Sequence, residues 1–306
     1  MLTLVLVPFL IAAVTSPLVM QLLTKLKSRQ TISAHIQEHA HKQGTPTMGG
    51  LIILIGGLWA CFLNWSQELL GPVLLLVGFG LIGFVDDFVV PRLMEGKRGL
   101  GWKQKLIMEV LLCLGALYFS GFRDPVALGI GSFLILFFSN AYNFSDGIDG
   151  LAASLGVILF GGLLLIGGPI LTSPLAPISV GLICGFLVFL YWNRYPAKVF
   201  MGDVGALPIG AVLGYLVFAR GSGESVNPMV LWVALGILSL VMMAELIPVP
   251  LQIASVKLTG KRLFLKTPIH HGFQVMGWKE SKIVWLFAGV QAVCAVIAVL
   301  MIGGAK

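Results

Sequence analysis

The chain has 306 residues, of which 58% are hydrophobic and only 11% are charged, and its mean hydropathy is +0.97. Soluble globular domains carry about 25% charged residues, so this composition excludes a water-soluble fold. The formal net charge of +7 suits anionic ligands and lipid headgroups at a membrane surface. We predict no nucleic-acid partner.

Apolar runs recur from one end of the chain to the other and predict an all-α polytopic membrane helical bundle. Each run is long enough to cross a hydrocarbon core of about 30 Å as a helix. Because no polar segment is long enough to form a separate domain, we expect a single integral membrane domain over residues 1–306. About ten transmembrane helices are predicted, at approximately residues 3–23, 48–64, 71–90, 104–120, 126–142, 148–168, 176–192, 205–219, 229–253 and 283–303.

The positions of lysine and arginine predict how these helices are oriented. Seventeen of the twenty Lys and Arg residues fall in four polar segments, 24–47, 88–105, 193–198 and 254–282. Cytoplasmic segments carry the excess of positive charge in membrane proteins. We therefore expect these four segments to be cytoplasmic and both termini to be extracytoplasmic.

Most of the aspartates gather on the same predicted face. Only Asp124 lies on the other side. A carboxylate near the hydrocarbon boundary costs a few kcal/mol unless it is paired, hydrated or bound to a cation. The pattern therefore predicts a shared counter-charge at the cytoplasmic ends of the spans. Five of the six aspartates lie there: Asp86, Asp87, Asp146, Asp149 and Asp203.

In chain order, the first notable segment is HKQGTPTMGG at 41–50, whose Pro46 and glycines mark a sharp turn into the second predicted span. The sequence GFVDDFVV at 83–90 then ends the third span with Asp86 and Asp87. Neighbouring residues on a helix point about 100° apart, so we expect one carboxylate to face a metal or phosphate and the other a basic side chain. A solvated helix end is the alternative, although a helix C-terminus disfavours extra negative charge.

The sequence SNAYNFSDGIDGLAA at 139–153 predicts a ligand-binding turn. Asn143, Asp146 and Asp149 are spaced three residues apart, so a helical turn places them on one side. Gly147 and Gly150 allow the backbone to approach a ligand closely. Helix capping is the alternative reading, but capping one helix does not require so many polar side chains.

Two later segments complete the polar face. The sequence YWNRYPAKVFMGDVGALPIG at 191–210 presents Asp203 beside a glycine, where it could equally cap the next helix. The segment 255–282 interleaves basic and aromatic residues around His270 and His271, a composition suited to binding phosphate and stacking on a nucleobase. A membrane-surface role is the alternative for this basic segment.

Five strings together resemble the polyprenyl-phosphate N-acetylhexosamine-1-phosphate transferase superfamily, and within it the phospho-N-acetylmuramoyl-pentapeptide transferase family. The resemblance runs nearly end to end. It implies ten spans with both termini outside the cytoplasm, a location in the bacterial inner membrane and an active site on the cytoplasmic face. The strings, in the order that the family has them, are KQGTPTMGG (42–50), FVDDF (84–88), NFSDGIDGLA (143–152), NRYPAKVFMGDVGAL (193–207) and VKLTGKRLFLKTPIHHGF (256–273).

The resemblance also implies a reaction and roles for residues. Undecaprenyl phosphate would attack UDP-MurNAc-pentapeptide in a reaction that requires Mg²⁺, giving the first lipid-linked intermediate of peptidoglycan synthesis and UMP. By position, Asp203 is implied as the Mg²⁺ ligand and Asp86 and Asp87 as the catalytic pair that handles the lipid phosphate. A homodimer is left open by the sequence. The implied substrate-binding residues are Lys42, Asn143, Asp146, Asp149, Asn193, His270 and His271.

Two departures from the family pattern bear on the donor. Val90 stands where the family usually has Lys, and Gly272 stands where it usually has a third consecutive His. A relative that transfers GlcNAc-1-phosphate or another hexosamine phosphate is therefore an alternative. From a different class, a cation-coupled transporter also carries intramembrane carboxylates, but these belong in the middle of spans, whereas here they lie at the cytoplasmic ends.

Overall fold

The computed structural model describes residues 2–26, 44–94, 99–166, 173–223 and 227–304. Over these ranges the chain contains no β-strand, so the all-α prediction is confirmed there. A π-helical segment, Val85–Val89, joins α3 to α4. The α-helices are α1 (Leu2–Lys25), α2 (Leu51–Leu63), α3 (Leu70–Phe84), α4 (Val90–Leu93), α5 (Trp102–Phe119), α6 (Pro125–Ser145), α7 (Leu151–Ile166), α8 (Ala176–Asn193), α9 (Asp203–Gly221), α10 (Pro228–Leu238), α11 (Leu240–Leu246), α12 (Pro248–Thr259), α13 (Ile269–Val275) and α14 (Glu280–Gly304).

The prediction of a polytopic membrane protein is confirmed. Three further helices, α2, α7 and α10, are apolar but shorter. Helix α5 coincides with the predicted span 104–120 but carries Lys103, Lys105 and Glu109 in its first half. The count of ten spans stays a prediction. Seven stretches of the described chain are long and apolar enough to cross a membrane: Leu2–Lys25, Gln67–Leu93, Pro125–Ser145, Ala176–Asn193, Asp203–Gly221, Leu240–Thr259 and Glu280–Gly304.

The single helix predicted over 229–253 is wrong. The structure divides this segment among α10, α11 and α12, with breaks at Ser239 and Ile247. Pro248 and Pro250 lack the N–H group that would continue the hydrogen bonds of the preceding helix, which accounts for the second break. Most of α12 is exposed in the isolated chain, so it lies at the periphery of the bundle.

Helix α9 lies at the centre of the bundle. Nearly all of its residues are buried, and its main neighbours are α6 and α3. Gly210 and Gly214 permit close contact with α6, because a Cβ at either position would overlap the carbonyl oxygen of Phe138 or Leu134. Since α9 begins at Asp203, this helix places one carboxylate at the centre of one end of the bundle.

The segment before α2 is hydrogen-bonded to the segment before α9. The N–H of Phe200 donates to the carbonyl oxygen of Pro46 at 2.9 Å. The N–H groups of Gly49 and Gly50 donate in return to the carbonyl oxygens of Phe200 at 2.8 Å and Met201 at 3.0 Å. The start of α9 is therefore held against the start of α2, although about 150 residues of sequence separate them.

Candidate active site

Lys105 joins two aspartates that are distant in the sequence. Its Nζ lies 3.0 Å from Oδ2 of Asp86 and 2.6 Å from Oδ2 of Asp203. The three side chains are between 17% and 23% exposed, so solvent screens this ion-pair network only in part. The other oxygen of Asp86, Oδ1, accepts the N–H of Leu100 at 2.5 Å.

The adjacent carboxylate, Asp87, has a different partner. Its Oδ2 accepts the N–H of Val204, in the first turn of α9, at 3.4 Å. Both aspartates lie in the π-helical segment Val85–Val89, and π-turns of this kind occur frequently at functional sites. Asp86 meets a basic side chain, as predicted for one of the two carboxylates, and a metal or phosphate facing the other stays a prediction.

Asn143 and Asp146 bring the second polar cluster to the start of α9. The Nδ2 of Asn143 donates to Oδ1 of Asp203 at 2.7 Å. The N–H of Gly202 donates to Oδ2 of Asp146 at 3.2 Å. Carboxylates from three distant segments therefore meet at one end of the bundle, as the sequence predicted.

Gly202 has a backbone conformation that this arrangement requires. Its φ is +72°, in the left-handed region that favours glycine. A Cβ there would lie 2.6 Å from Oγ1 of Thr47 and 2.7 Å from Oδ2 of Asp87. A side chain at this position would therefore push against both the segment before α2 and the aspartate pair.

Asp149 and Asn193 connect the 146–150 turn to the segment that follows α8. Oδ2 of Asp149 accepts the N–H of Ala197 at 2.9 Å. Oδ1 of Asn193 accepts the N–H of Gly150 at 2.9 Å, and its Nδ2 donates to the carbonyl oxygen of Val199 at 2.8 Å. Both side chains are buried, and these bonds fix the turn in place.

The two predicted histidines lie against the same turn. His270 is fully buried, with Nδ1 2.6 Å from Oε2 of Glu245. The Nδ1 of His271 lies 2.6 Å from Oε1 of Gln274. A Cβ built on Gly147 would overlap His270 and lie 3.4 Å from the ring of His271, so glycine allows this approach. Lys42, the remaining predicted binding residue, lies outside the described residues.

Sequence comparison identifies the family. Residues 42–54 match the phospho-N-acetylmuramoyl-pentapeptide-transferase signature 1, and residues 69–220 match glycosyl transferase family 4. The phospho-N-acetylmuramoyl-pentapeptide-transferase of Bacillus velezensis is 33% identical over 95% of this chain and 94% of its own length. The chain belongs to the phospho-N-acetylmuramoyl-pentapeptide transferase family.

Two further relatives carry the same name. The protein of Clostridium beijerinckii is 33% identical over 94% of this chain and 92% of its own length. That of Enterococcus faecalis is 36% identical over 84% of each chain. As a member of this bacterial family, the chain is an enzyme, a membrane transferase.

The carboxylates of this transferase fit a magnesium ion. Mg²⁺ prefers oxygen ligands and is usually held by one or two carboxylates together with water and substrate phosphates. Asp146 and Asp87 accept the N–H groups of Gly202 and Val204, the two residues that flank Asp203. Within the described ranges, no group of three His, Cys, Asp or Glu forms a ready-made metal site. The donor set therefore suits an ion that phosphate groups help to hold.

The surroundings of Asp146 also favour a cation. Burial raises the pKa of the Asp146 carboxyl well above its ordinary value, and the N–H of Gly202 opposes this shift. The nearby carboxylates of Asp203, Asp87 and Asp149 raise this pKa further, because like charges disfavour ionisation. A positive ion among these groups would favour their charged forms.

Sequence reasoning missed two charged residues of the transferase. Lys105 was counted only as a marker of orientation, yet it joins Asp86 to Asp203. Glu245 lies inside an apolar helix and is fully buried against His270. The signal for Glu245 was present in the sequence, because an ionisable residue within a predicted span is a functional candidate by default.

Proposed function

We propose that the enzyme transfers phospho-MurNAc-pentapeptide from UDP-MurNAc-pentapeptide to undecaprenyl phosphate, giving a lipid-linked peptidoglycan precursor and UMP. The observation that carries this proposal is the meeting of Asp86, Asp87, Asp146 and Asp203 with Lys105 at one end of the bundle. Family membership supports the choice of transferred group, since the relatives are named as phospho-N-acetylmuramoyl-pentapeptide transferases.

The proposed reaction brings two anions together. An oxygen of the lipid phosphate attacks the sugar-proximal phosphorus of the donor, a new P–O bond forms, and the bond to UMP breaks. Lys105 supplies a fixed positive charge beside the reacting phosphates, and such preorganised charge stabilises the transition state. A phosphate monoester is already largely ionised at neutral pH, so we propose direct attack without a phospho-enzyme.

Magnesium is proposed as the cofactor, with Asp203 as its ligand and Asp86 and Asp87 as the catalytic pair. When bound, Mg²⁺ neutralises charge on the phosphoryl oxygens as a Lewis acid. Asn143 orients the Asp203 carboxylate through its 2.7 Å hydrogen bond. The Asp146 and Asp149 turn, Asn193, Lys42 and the two histidines are proposed to line the donor site.

An apolar groove next to the site suits the prenyl chain of the acceptor. It has a volume of about 510 Å³ and lies between α6 and the α11–α12 segment, where Phe133, Phe137, Leu246 and Val249 line it. Asn140 also lines the groove, one helical turn before Asn143 on α6. Asn143 bonds Asp203, so the groove reaches the level of the aspartates. We propose that part of the undecaprenyl chain binds there.

The proposed topology follows the charge pattern. One domain over residues 1–306 would cross the bacterial inner membrane about ten times, with both termini extracytoplasmic and the active site on the cytoplasmic face. The basic residues near the site, such as Lys105 and Arg92, are consistent with that orientation. A homodimer is proposed as the assembly.

The direct test uses purified protein with Mg²⁺, undecaprenyl phosphate and either UDP-MurNAc-pentapeptide or UDP-GlcNAc, and follows UMP release. We expect lipid-linked product with the first donor, loss of activity with EDTA and recovery on adding Mg²⁺. Turnover with UDP-GlcNAc alone would favour the hexosamine-phosphate alternative. No UMP release with either donor from folded protein would contradict the proposed function.

A further inference from the structure

Glu245 holds His270 at two points. Oε2 of Glu245 lies 2.6 Å from Nδ1 of His270, and Oε1 accepts the backbone N–H of the same residue at 3.3 Å. Both side chains have no exposed surface. Glu245 thereby fixes both the ring of His270 and the start of α13, although it belongs to α11, which is 25 residues earlier in the sequence.

The geometry determines which ring nitrogen meets the aspartate turn. An ionised carboxylate only accepts hydrogen bonds, so beside an ionised Glu245 the Nδ1–H of His270 is the donor of the 2.6 Å bond. The opposite nitrogen, Nε2, then points at Gly147, where a Cβ would overlap it. Gly147 lies between Asp146 and Asp149, the two carboxylates of that turn.

Burying the polar side chains of Glu245 and His270 costs folding free energy that apolar residues at these positions would not cost. Within the described chain, Nε2 of His270 is buried and has no hydrogen-bond partner. A buried unsatisfied polar atom costs about 1–3 kcal/mol. A buried ion pair is often replaced by apolar residues without loss of stability. Stability therefore does not explain why a glutamate and a histidine occupy this position.

We propose that Glu245 is a positioning residue of the transferase, acting through His270 on the turn that carries Asp146 and Asp149. This inference rests on the proposed function, because that turn is proposed to bind the donor. By fixing the His270 ring, Glu245 sets the distance between α13 and Gly147. A misplaced turn displaces both carboxylates from the donor phosphates, and displacements of about 1 Å can lower rates about a hundredfold.

The first measurement determines which ring nitrogen of His270 is protonated, and it does not depend on enzymatic activity. In protein labelled with ¹⁵N-histidine, the shifts of the two ring nitrogens report which of them is protonated. We expect His270 of the unmodified enzyme to carry a proton on Nδ1, and Glu245→Leu to lose this preference. The spectra of His270→Asn and His271→Asn proteins assign the signals. An unprotonated Nδ1 on His270 in the unmodified enzyme would overturn the inference, even if no Glu245 variant folds.

The second measurement is steady-state kinetics with the proposed substrates. We expect Glu245→Leu to lower kcat about tenfold or more, as the loss of such supporting partners commonly does, with a smaller change in KM for the donor. Glu245→Gln keeps an acceptor for Nδ1 and should restore kcat to within about fivefold of the unmodified enzyme.

Gln291→Leu is the matched control for this experiment. Gln291 is also fully buried and polar, and its Nε2 donates to the carbonyl oxygen of Leu238 at 2.7 Å, away from the aspartates. We expect its kcat to be unchanged. Equal losses in the Glu245→Leu and Gln291→Leu proteins would assign Glu245 a structural role and overturn the proposal. If the unmodified enzyme releases no UMP, the result counts against the proposed function. The nitrogen spectra then still test the role of Glu245, because they do not depend on activity.

Discussion

The two halves of the aspartate site are neutralised in different ways. Asp86 and Asp203 share the ammonium group of Lys105, at 3.0 Å and 2.6 Å. Asp87 and Asp146 instead accept backbone N–H groups from Val204 and Gly202. A full charge from the protein serves the first pair, whereas the second pair is served by peptide dipoles. Among the described residues the second pair has no basic partner, so the magnesium ion proposed on Asp203 would be its source of positive charge.

The strongest test of this comparison is a change at Asp203, the proposed magnesium ligand. Asp203→Asn removes the negative charge that Lys105 and Asn143 both bond. We expect kcat to fall about a thousandfold or more, the upper range for losing one preorganised electrostatic group, measured as UMP release with undecaprenyl phosphate as acceptor.

Asp124→Asn is its control. Asp124 caps α6 through a 2.7 Å bond from the N–H of Ala127, and asparagine caps helices equally well. Its activity should stay at the level of the unmodified enzyme. If Asp203→Asn kept full activity, the metal assignment would be wrong.

The next largest effect is expected from replacing Lys105, the basic residue that Asp86 and Asp203 share. Lys105→Met leaves Asp86 and Asp203 without their shared ammonium group, so the carboxylates repel one another and the phosphates lose a fixed charge. We expect kcat to fall about a hundredfold. Lys103→Met is the control, since Lys103 lies near the Trp102 ring and not on the aspartates. Equal kcat values for the two variants would show that Lys105 has no role in the reaction.

The second pair, Asp87 and Asp146, is tested by measuring how much Mg²⁺ the enzyme needs for activity. Asp146→Asn removes a negative charge close to the proposed magnesium ligand Asp203, so we expect the half-saturating Mg²⁺ concentration to rise about tenfold, as for the loss of one group that supports a metal site. A titration of UMP release against Mg²⁺ measures this. A lower kcat at an unchanged Mg²⁺ requirement would separate Asp146 from cation binding.

The smallest effect is expected from a change at Gly202, whose backbone N–H donates to Asp146. Gly202→Ala places a Cβ near Asp87 and Thr47 at a φ of +72°, which should cost about 1–3 kcal/mol of stability. Thermal unfolding in detergent measures this loss. Gly236→Ala is the control, because a Cβ there meets nothing within 4 Å and alanine favours a helix. A Gly202→Ala protein as stable as the control would contradict the strain argument.

The sequence predicted the helices well where an apolar run ends at polar residues. The run predicted over 126–142 corresponds to α6, Pro125–Ser145, whose first turn Asp124 caps. It failed over 229–253, where the apolar character continues through breaks at Ser239 and Ile247, the second of which precedes Pro248. Hydropathy measures the cost of leaving water and does not register the hydrogen bonds that a proline removes.

Much of the site could also be predicted, but the partners could not. Clustering near one membrane face was enough to select Asp86, Asp146 and Asp203. The lysine that joins Asp86 to Asp203 lies 98 residues before the latter, and no local pattern predicts which cations and carboxylates meet. Such pairings depend on how α5 and α9 pack against α3, which is a property of the whole bundle.

The glycines that seat α9 against α6 have a consequence for how this enzyme accommodates its substrates. With no side chain at Gly210 or Gly214, the two helices approach each other through their backbones, and such close-packed contacts are only slightly compressible. We expect Asp203 and Asn143, at the ends of these helices, to keep a constant separation through each turnover. The substrates would then bind to a rigid surface. Any movement that admits them would occur in peripheral helices such as α12.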